Sequence, residues 1–312
     1  MMKWINDMQD GDQINGQLLV ASVAKCESDR AKPYLNITFQ DKTGIIEAKK
    51  WEIVEGDLET IVVGNIINVD GVVLKYRDKP QLKVLNVNQV NPNEINILNF
   101  QKECLVPKEE LIKKLDKYLA SFKDKDVSLI VNTLIKHYYK DYIAYPGGIR
   151  VHHDFDGGLM YHSLAMADLA EEVCKLYPQV DRDILVGGAL IHDIGKTIEY
   201  SNPVIPTMTL EGKLIGHISL MYAEFKKIVD DLHIESEVPL LLEHMILSHH
   251  GTREFGCPVV PSTREAVLLS MIDLLDSKMQ IMDKALDPTK EGDFTQKIWP
   301  MDNIALYKPK AR

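Results

Sequence analysis

The chain has 312 residues, 45% of them hydrophobic and 26% charged, an ordinary globular composition with length for two or three domains. Its formal net charge of −10 excludes the global basic character of a protein that coats nucleic acid and leaves room only for a local basic surface. Cys26, Cys104, Cys174 and Cys257 form no CxxC pair, the N-terminus has no apolar signal core and no window approaches a membrane span, so the reading is a cytoplasmic protein with reduced thiols and no membrane partner.

From Gln13 to Val90 the pattern is that of strands: GQLLVASVAKCES, PYLNITFQD, GIIEAKKW, NIINVDGVVLKY and QLKVLNVNQV, separated by Gly, Asp, Asn and Pro. Tyr34, Asn36 and Thr38 alternate with Leu35, Ile37 and Phe39, the period of a half-buried strand. Asp41-Lys42-Thr43-Gly44 reads as a tight hairpin with Gly44 at positive φ. Five strands in such a length fit a small closed barrel of the OB type, a frequent oligonucleotide binder. Tyr34, Lys49, Trp51, Lys75, Tyr76 and Arg77 are the candidates for stacking bases and holding phosphates. The competing reading makes Trp51 and Phe39 core and the lysines solvated edge residues.

Asn91-Pro92-Asn93-Glu94 breaks the strand pattern. Beyond it, Leu111, Leu115 and Leu119 recur at helical spacing after Pro107, and a second amphipathic helix runs from about Val127 to Tyr142. Further helices are predicted at 158–176, 182–194, 217–232, 238–250 and 263–282. The organisation expected is a barrel at 12–92, a helical linker region at 93–149, an all-α domain at 150–282 and a tail at 283–312. The fold class is therefore multidomain, all-β and then all-α.

The run Ile184 to Ile191 leads directly into His192 and Asp193. An imidazole and a carboxylate at the end of so apolar a helix cost several kcal/mol unless each finds a partner, about 2–7 for an uncompensated polar group. A metal ion is one such partner, and a helix end open to solvent is the bland alternative. Nine of the ten histidines lie between residues 152 and 250. His162 stands on the helix of GGLMYHSLAMADLAEEV, His217 opens GHISLMYAEF after Gly216, and His249 and His250 close EHMILSHHG. Asp273, set among Leu268, Leu269, Met271, Ile272, Leu274 and Leu275, repeats the buried-carboxylate argument, with Asp276 as the surface residue of the same helix. His244 reads as structural, and His137 and His233 as solvent-exposed. Arg150, His152 and His153, in a glycine-flanked loop, are candidates for touching substrate phosphate. Imidazoles and carboxylates without thiolates suit Mn, Fe, Co, Ni or Zn.

This order of motifs resembles the HD-domain superfamily of metal-dependent phosphohydrolases over roughly residues 150–282. The resemblance implies His162, His192, Asp193 and Asp273 as ligands of one ion. His217, His249 and His250 match the two-metal version, in which Asp193 bridges the ions. Two ions about 4 Å apart stabilise both the attacking and the leaving oxygen of a phosphodiester. Lys196, one turn after His192, is then a catalytic residue beside Asp193, neutralising charge on the scissile phosphate; its plain alternative is a lysine snorkelling at a helix end.

The whole arrangement is similar to bacterial 3′→5′ exoribonucleases of the YhaM type, through VHHDFDGGLMYHSL, ALIHDIGKTIEY, LSHHGTREFGCPVVPSTREA and MIDLLDSKM. That likeness implies two divalent ions, Mn foremost, and removal of nucleoside monophosphates from the 3′ end of single-stranded RNA or DNA. Two alternatives stand beside it: a phosphohydrolase of small or cyclic nucleotides, and a non-catalytic nucleic-acid-binding protein. GTREFGCPVVP, where cyclic-di-GMP hydrolases carry a DGxGYP-like run, counts against the first. The complete set of costly polar residues counts against the second. A homo-oligomer is compatible with the sequence.

Overall fold

The computed structural model describes residues 3–27, 32–77, 79–102, 104, 106–149 and 153–311. The chain divides into two compact units, Met1–Glu103 and Cys104–Arg312. Among the described residues no helix is long and apolar enough to cross a membrane, and all four cysteines are free.

The first unit is a closed barrel of β1 (Gln13–Glu27), β2 (Pro33–Asp41), β3 (Gly44–Lys50), β4 (Ile66–Tyr76) and β5 (Lys79–Gln89), with strand order β1-β2-β3-β5-β4. β1 closes it by pairing with β2 along its second half and β4 along its first, around a bulge between Val20 and Ser22. The alternation read from β2 is present: Leu35, Ile37 and Phe39 are buried, and Tyr34, Asn36 and Thr38 lie on the other face. With Leu18, Val20, Ile46, Ala48, Val69, Val73 and Leu82 they fill the barrel, and Ile5 and Met8 join them from the N-terminal segment. A short helix, α1 (Asp57–Thr60), lies between β3 and β4. It carries Asp57, paired with the buried Lys50 at 3.3 Å.

The β2–β3 turn departs from expectation. Gly44 does not take a positive φ. The turn is instead closed by the Asp41 carboxylate, which accepts from Thr43 N at 2.7 Å, Thr43 Oγ1 at 2.6 Å and Gly44 N at 3.1 Å. A side chain that hydrogen-bonds the backbone just ahead of it replaces the strained turn geometry.

The second unit is helical: α2 (Lys108–Leu119), α3 (Lys125–Tyr142), α4 (Gly158–Leu176), α5 (Arg182–Ile191), α6 (Lys196–Glu199), α7 (Leu210–Leu214), α8 (His217–Asp230), α9 (Val238–Ser248) and α10 (Arg264–Leu286). Asp124, Asp181 and Thr263 cap α3, α5 and α10, each side chain accepting from backbone N–H groups of the first turn. α5 is the centre of the unit; every residue from Asp183 to Ile191 is buried. It packs on α3, α4, α9 and α10. The helix expected to run to Ile194 ends at Ile191, and a turn over His192–Gly195 leads into α6. Behind α10, the segment to Ala311 folds back through bridges between Phe294 and Tyr307 and between Ile298 and Ile304. Lys308 Nζ donates to the Leu286 carbonyl at 2.9 Å, a cation on the carbonyl end of a helix.

α10 turns Asp273 inward, as the sequence reading has it, and Asp276 inward against that reading. Its buried residues are Ala266, Leu269, Ile272 and Asp276, whereas Met271, Leu274 and Leu275 are exposed. A helix with apolar residues on several sides satisfies more than one orientation. Here the carboxylates of Asp273 and Asp276, one turn apart and so on one face, turn inward.

Candidate metal centre and nucleic-acid face

Five separate segments of the second unit bring ligand-type side chains to one place. α4 carries His162, the turn after α5 carries His192 and Asp193, and the first residue of α8 is His217. The end of α9 carries His249 and His250, and α10 carries Asp273. Gly195 lets two of these segments close on each other. A Cβ there would lie 2.2 Å from the His217 carbonyl oxygen, a backbone contact that no side-chain rotation relieves. Any other residue would push His217 away from Asp193.

Asp193, 2% exposed, sits in the middle and divides its oxygens. Oδ2 lies 3.4 Å from His192 Nε2, 3.8 Å from His162 Nε2 and 2.6 Å from Lys196 Nζ. Oδ1 lies 3.4 Å from His217 Nε2 and 3.5 Å from His249 Nε2. His250 completes the second group: one ligand atom each from Asp193, His217, His249 and His250 lie within 4.8 Å of one another, as do those of His162, His192 and Asp193. Asp273 Oδ1 stands 3.3 Å from His162 Nε2, on the first side.

Every one of the five imidazoles is held by its other nitrogen. Nδ1 of His192, His249 and His250 faces the carbonyl oxygens of Ala189 at 2.9 Å, Ile246 at 2.8 Å and Phe255 at 2.8 Å. Nδ1 of His217 faces Glu199 Oε1 at 3.2 Å, and Nδ1 of His162 faces Asp276 Oδ2 at 2.6 Å. A carbonyl or carboxylate oxygen can only accept, so Nδ1 carries the hydrogen and Nε2 is the atom turned to the centre.

The charge balance of the cluster suits cations. Nε2 of His192, His217 and His249 and Oδ1 of Asp193 are buried with no hydrogen-bond partner, and a buried lone pair with nothing to accept costs about 1–3 kcal/mol. Burial pushes the His249 imidazole down and that of His250 down to about 4, so both stay neutral. Burial works against ionisation of Asp193, yet the Lys196 ammonium and His192 hold its carboxyl well below the usual range. Asp273 is likewise held low against burial, by His162. Burial also disfavours a charged His162, but Asp273 and Asp276 on either side raise it to about 9. Among the described residues, four buried or nearly buried carboxylates, Asp193, Asp273, Asp276 and Glu199, meet the ammonium of Lys196 and the imidazolium of His162, which leaves an excess of negative charge. The residues present fit one or more divalent cations bound through Nε2 and carboxylate oxygen.

Lys196 does not snorkel. It is 7% exposed, and its Nζ donates to the Gly147 carbonyl at 2.6 Å as well as pairing with Asp193. Burial lowers its tendency to stay charged, and Asp193 more than reverses this.

His153, read as a candidate for touching substrate phosphate, does not face outward. It is 1% exposed at a φ of 50°, with Nε2 3.1 Å from Asp276 Oδ2 and its ring 4.7 Å from that of His162. It therefore buttresses the centre from behind instead of facing a substrate phosphate. Arg150 and His152 lie outside the described residues. Asp276, read as a surface residue, is buried between His162 and His153. Its place one turn after Asp273 was the available signal. Glu199 had none, since its partner His217 comes from another helix. His244 accepts from Ser262 N at 2.8 Å, a structural role as expected, and His137 and His233 are exposed.

On the barrel, five of the six candidate residues interlock. The rings of Tyr34 and Trp51 stack at 4.6 Å, as the β2–β3 register places them side by side. Lys49 Nζ lies 5.2, 5.7 and 5.5 Å from the ring centres of Tyr34, Trp51 and Tyr76, and Arg77 Cζ lies 5.3 Å from Tyr76. Trp51 is 43% and Tyr76 49% exposed, so Trp51 is not core, although Phe39 is. Lys75 is exposed on β4, its backbone N–H donating to Asp10 Oδ1 at 2.8 Å.

Residues 159–278 match the family described as HD domain. Among solved structures, the chain is similar to the second OB-fold domain of replication protein A from Methanococcus maripaludis, with 16% identity over 29% of this chain and 96% of that one and a TM-score of 0.22. It is similar to an OB domain from Thermoplasma acidophilum, with 17% identity over 30% of this chain and 91% of that one and a TM-score of 0.24. A replication protein A heterotrimer bound to single-stranded DNA aligns at 18% identity over 29% of this chain and 66% of that one, with a TM-score of 0.23. Within the helical unit, residues 159–278 thus match the HD domain, a family of metal-dependent phosphohydrolases, and a closed barrel of five strands precedes them in the chain.

Proposed function

We propose that this chain is a metal-dependent 3′→5′ exonuclease that hydrolyses the phosphodiester bonds of single-stranded RNA, and of DNA as a second substrate, to nucleoside monophosphates. The observation that carries the metal reading is the division of Asp193, whose Oδ2 faces His162 and His192 while Oδ1 faces His217 and His249. One carboxylate serving two sets of imidazoles is the arrangement two ions require. His162, His192, Asp193 and Asp273 would hold the first ion, and Asp193, His217, His249 and His250 the second. Manganese is the leading candidate, with Co, Fe, Ni and Zn compatible with the same donors. When bound, such ions supply Lewis-acid stabilisation to the attacking and leaving oxygens of a phosphodiester.

The chain's own groups do the rest. Lys196 has an ammonium already stripped of water, with two of its three donors spent on Asp193 and Gly147. The third is available to a phosphate oxygen as negative charge builds there. The carbonyls and carboxylates behind the five imidazoles keep each Nε2 aimed without reorganisation. The aromatic and cationic cluster of the barrel supports a single strand as the substrate. Rings stack on any base, and Lys49 and Arg77 suit the backbone between bases, a sequence-tolerant mode. The 3′→5′ direction rests on the likeness of the motifs.

The test uses single strands carrying a 3′ label or a 3′ block, incubated with Mn²⁺. Mononucleotides released first from the labelled end, and protection by the block, are the expected results. Internal cuts, or turnover of dinucleotides alone, would overturn the exonuclease reading.

A further inference from the structure

Two buried carboxylates that do not reach the centre themselves stand behind it, one on each side. Asp276 accepts from His162 Nδ1 at 2.6 Å and is 8% exposed. Glu199 lies 3.2 Å from His217 Nδ1, accepts from the His217 backbone N–H at 3.1 Å, and is 7% exposed. The other three imidazoles are held by neutral carbonyls of Ala189, Ile246 and Phe255. So each side of Asp193 has one histidine backed by a full negative charge, and only one.

We infer that Asp276 and Glu199 are positioning residues that tune the two ions separately, Asp276 through His162 and Glu199 through His217. A carboxylate behind an imidazole fixes which nitrogen is presented and makes that nitrogen a stronger donor. Because the two carboxylates act through different histidines on opposite oxygens of Asp193, each sets the affinity of its own ion. The Asp276 arm has a second brace: His153 Nε2 approaches the same Oδ2 at 3.1 Å. The Glu199 arm is braced instead by the start of α8, whose first N–H groups favour a negative charge.

The inference rests on the two-ion reading, and the experiment separates the two. Mn²⁺ is titrated into metal-free full-length protein and the free ion counted by electron paramagnetic resonance. Wild type is read first; if it takes up no Mn²⁺, the metal reading itself falls and this inference with it. With two ions bound to wild type, Asp276→Asn and Glu199→Gln each weaken one ion by about 10- to 100-fold. The decisive arm is the His217→Ala background, which has only the first ion. There Asp276→Asn still weakens binding and Glu199→Gln is silent, whereas a merely structural role would make both variants act alike. Weakening by Glu199→Gln in that background overturns the inference, as does full affinity in Asp276→Asn. If Asp276→Asn does not fold, as its metal-free melting curve would reveal, the Glu199 arm decides alone.

Discussion

The candidate metal centre and the barrel cluster solve opposite problems. At the centre, residues from His162 to Asp273 converge from five segments. His162, His192, Asp193 and His249 are buried and His217, His250 and Asp273 partly so, and each imidazole is pinned through Nδ1. On the barrel, Tyr34, Lys49, Trp51, Tyr76 and Arg77 come from β2, β3 and β4 or the residue just after β3 and β4, lie half-buried or exposed, and hold one another through rings and cations. A buried cluster is indivisible, because removing one charge strands its partners. An exposed cluster shares its energy among small increments. The difference teaches where a single substitution ends function and where it only weakens it.

The sharpest break is at Asp193. Asp193→Ala removes the one group common to both sides and leaves Lys196 buried beside Gly147 alone. Activity on single-stranded RNA should fall below about 1% of wild type, a loss of several kcal/mol from the barrier, and Mn²⁺ stoichiometry should drop from two. Retention of more than that activity would contradict a shared carboxylate. The second break removes the ions and keeps the protein. After chelation, turnover should vanish and return on adding Mn²⁺. Binding of a single strand, measured by fluorescence anisotropy, should stay within a few-fold. If chelation abolishes binding as well, the strand is held by the centre and not by the barrel.

A milder effect is expected on the barrel side. Trp51→Ala removes one stacking surface, and loss of one base–aromatic stack costs about 1–3 kcal/mol in single-strand affinity. It should appear in KM, with kcat little changed. A fall in kcat with constant KM would place Trp51 outside substrate binding.

Much of both regions was legible in the residues, and what was not has physical reasons. The β2 alternation and the bounds of α4 follow from periods that each face imposes locally, and local periods survive in sequence. His192 and Asp193 were legible because a polar pair at the end of so apolar a helix demands a partner. The burial of Asp276 was not, since Met271, Leu274 and Leu275 offer an equally apolar face and nothing local says which side meets the core. Glu199 and the supporting place of His153 were missed for a related reason. Their partners, His217 and Asp276, come from other segments, and no spacing encodes a contact made only when the chain closes. On the barrel, exposure of Trp51 depends on strand register. An isolated aromatic beside two lysines reads equally well as core or surface.

The smallest effect probes what Lys49 is for. Its ammonium is within 6 Å of three rings, so it either cross-links Tyr34, Trp51 and Tyr76 or contributes positive charge to a phosphate. These differ in salt dependence, not in affinity at one salt concentration. Cation–π contacts at exposed sites are worth about 0.5–1 kcal/mol, so Lys49→Gln weakens binding modestly in either case. Neutralising one phosphate of a single strand, however, contributes about 0.7 to the slope of log affinity against log salt. Anisotropy titrations over a range of salt should therefore give Lys49→Gln a slope shallower by about that amount, while Trp51→Ala keeps the wild-type slope at lower affinity. An unchanged slope for Lys49→Gln would make Lys49 a brace for the rings and leave Arg77 and Lys75 as the cations nearest to a bound strand.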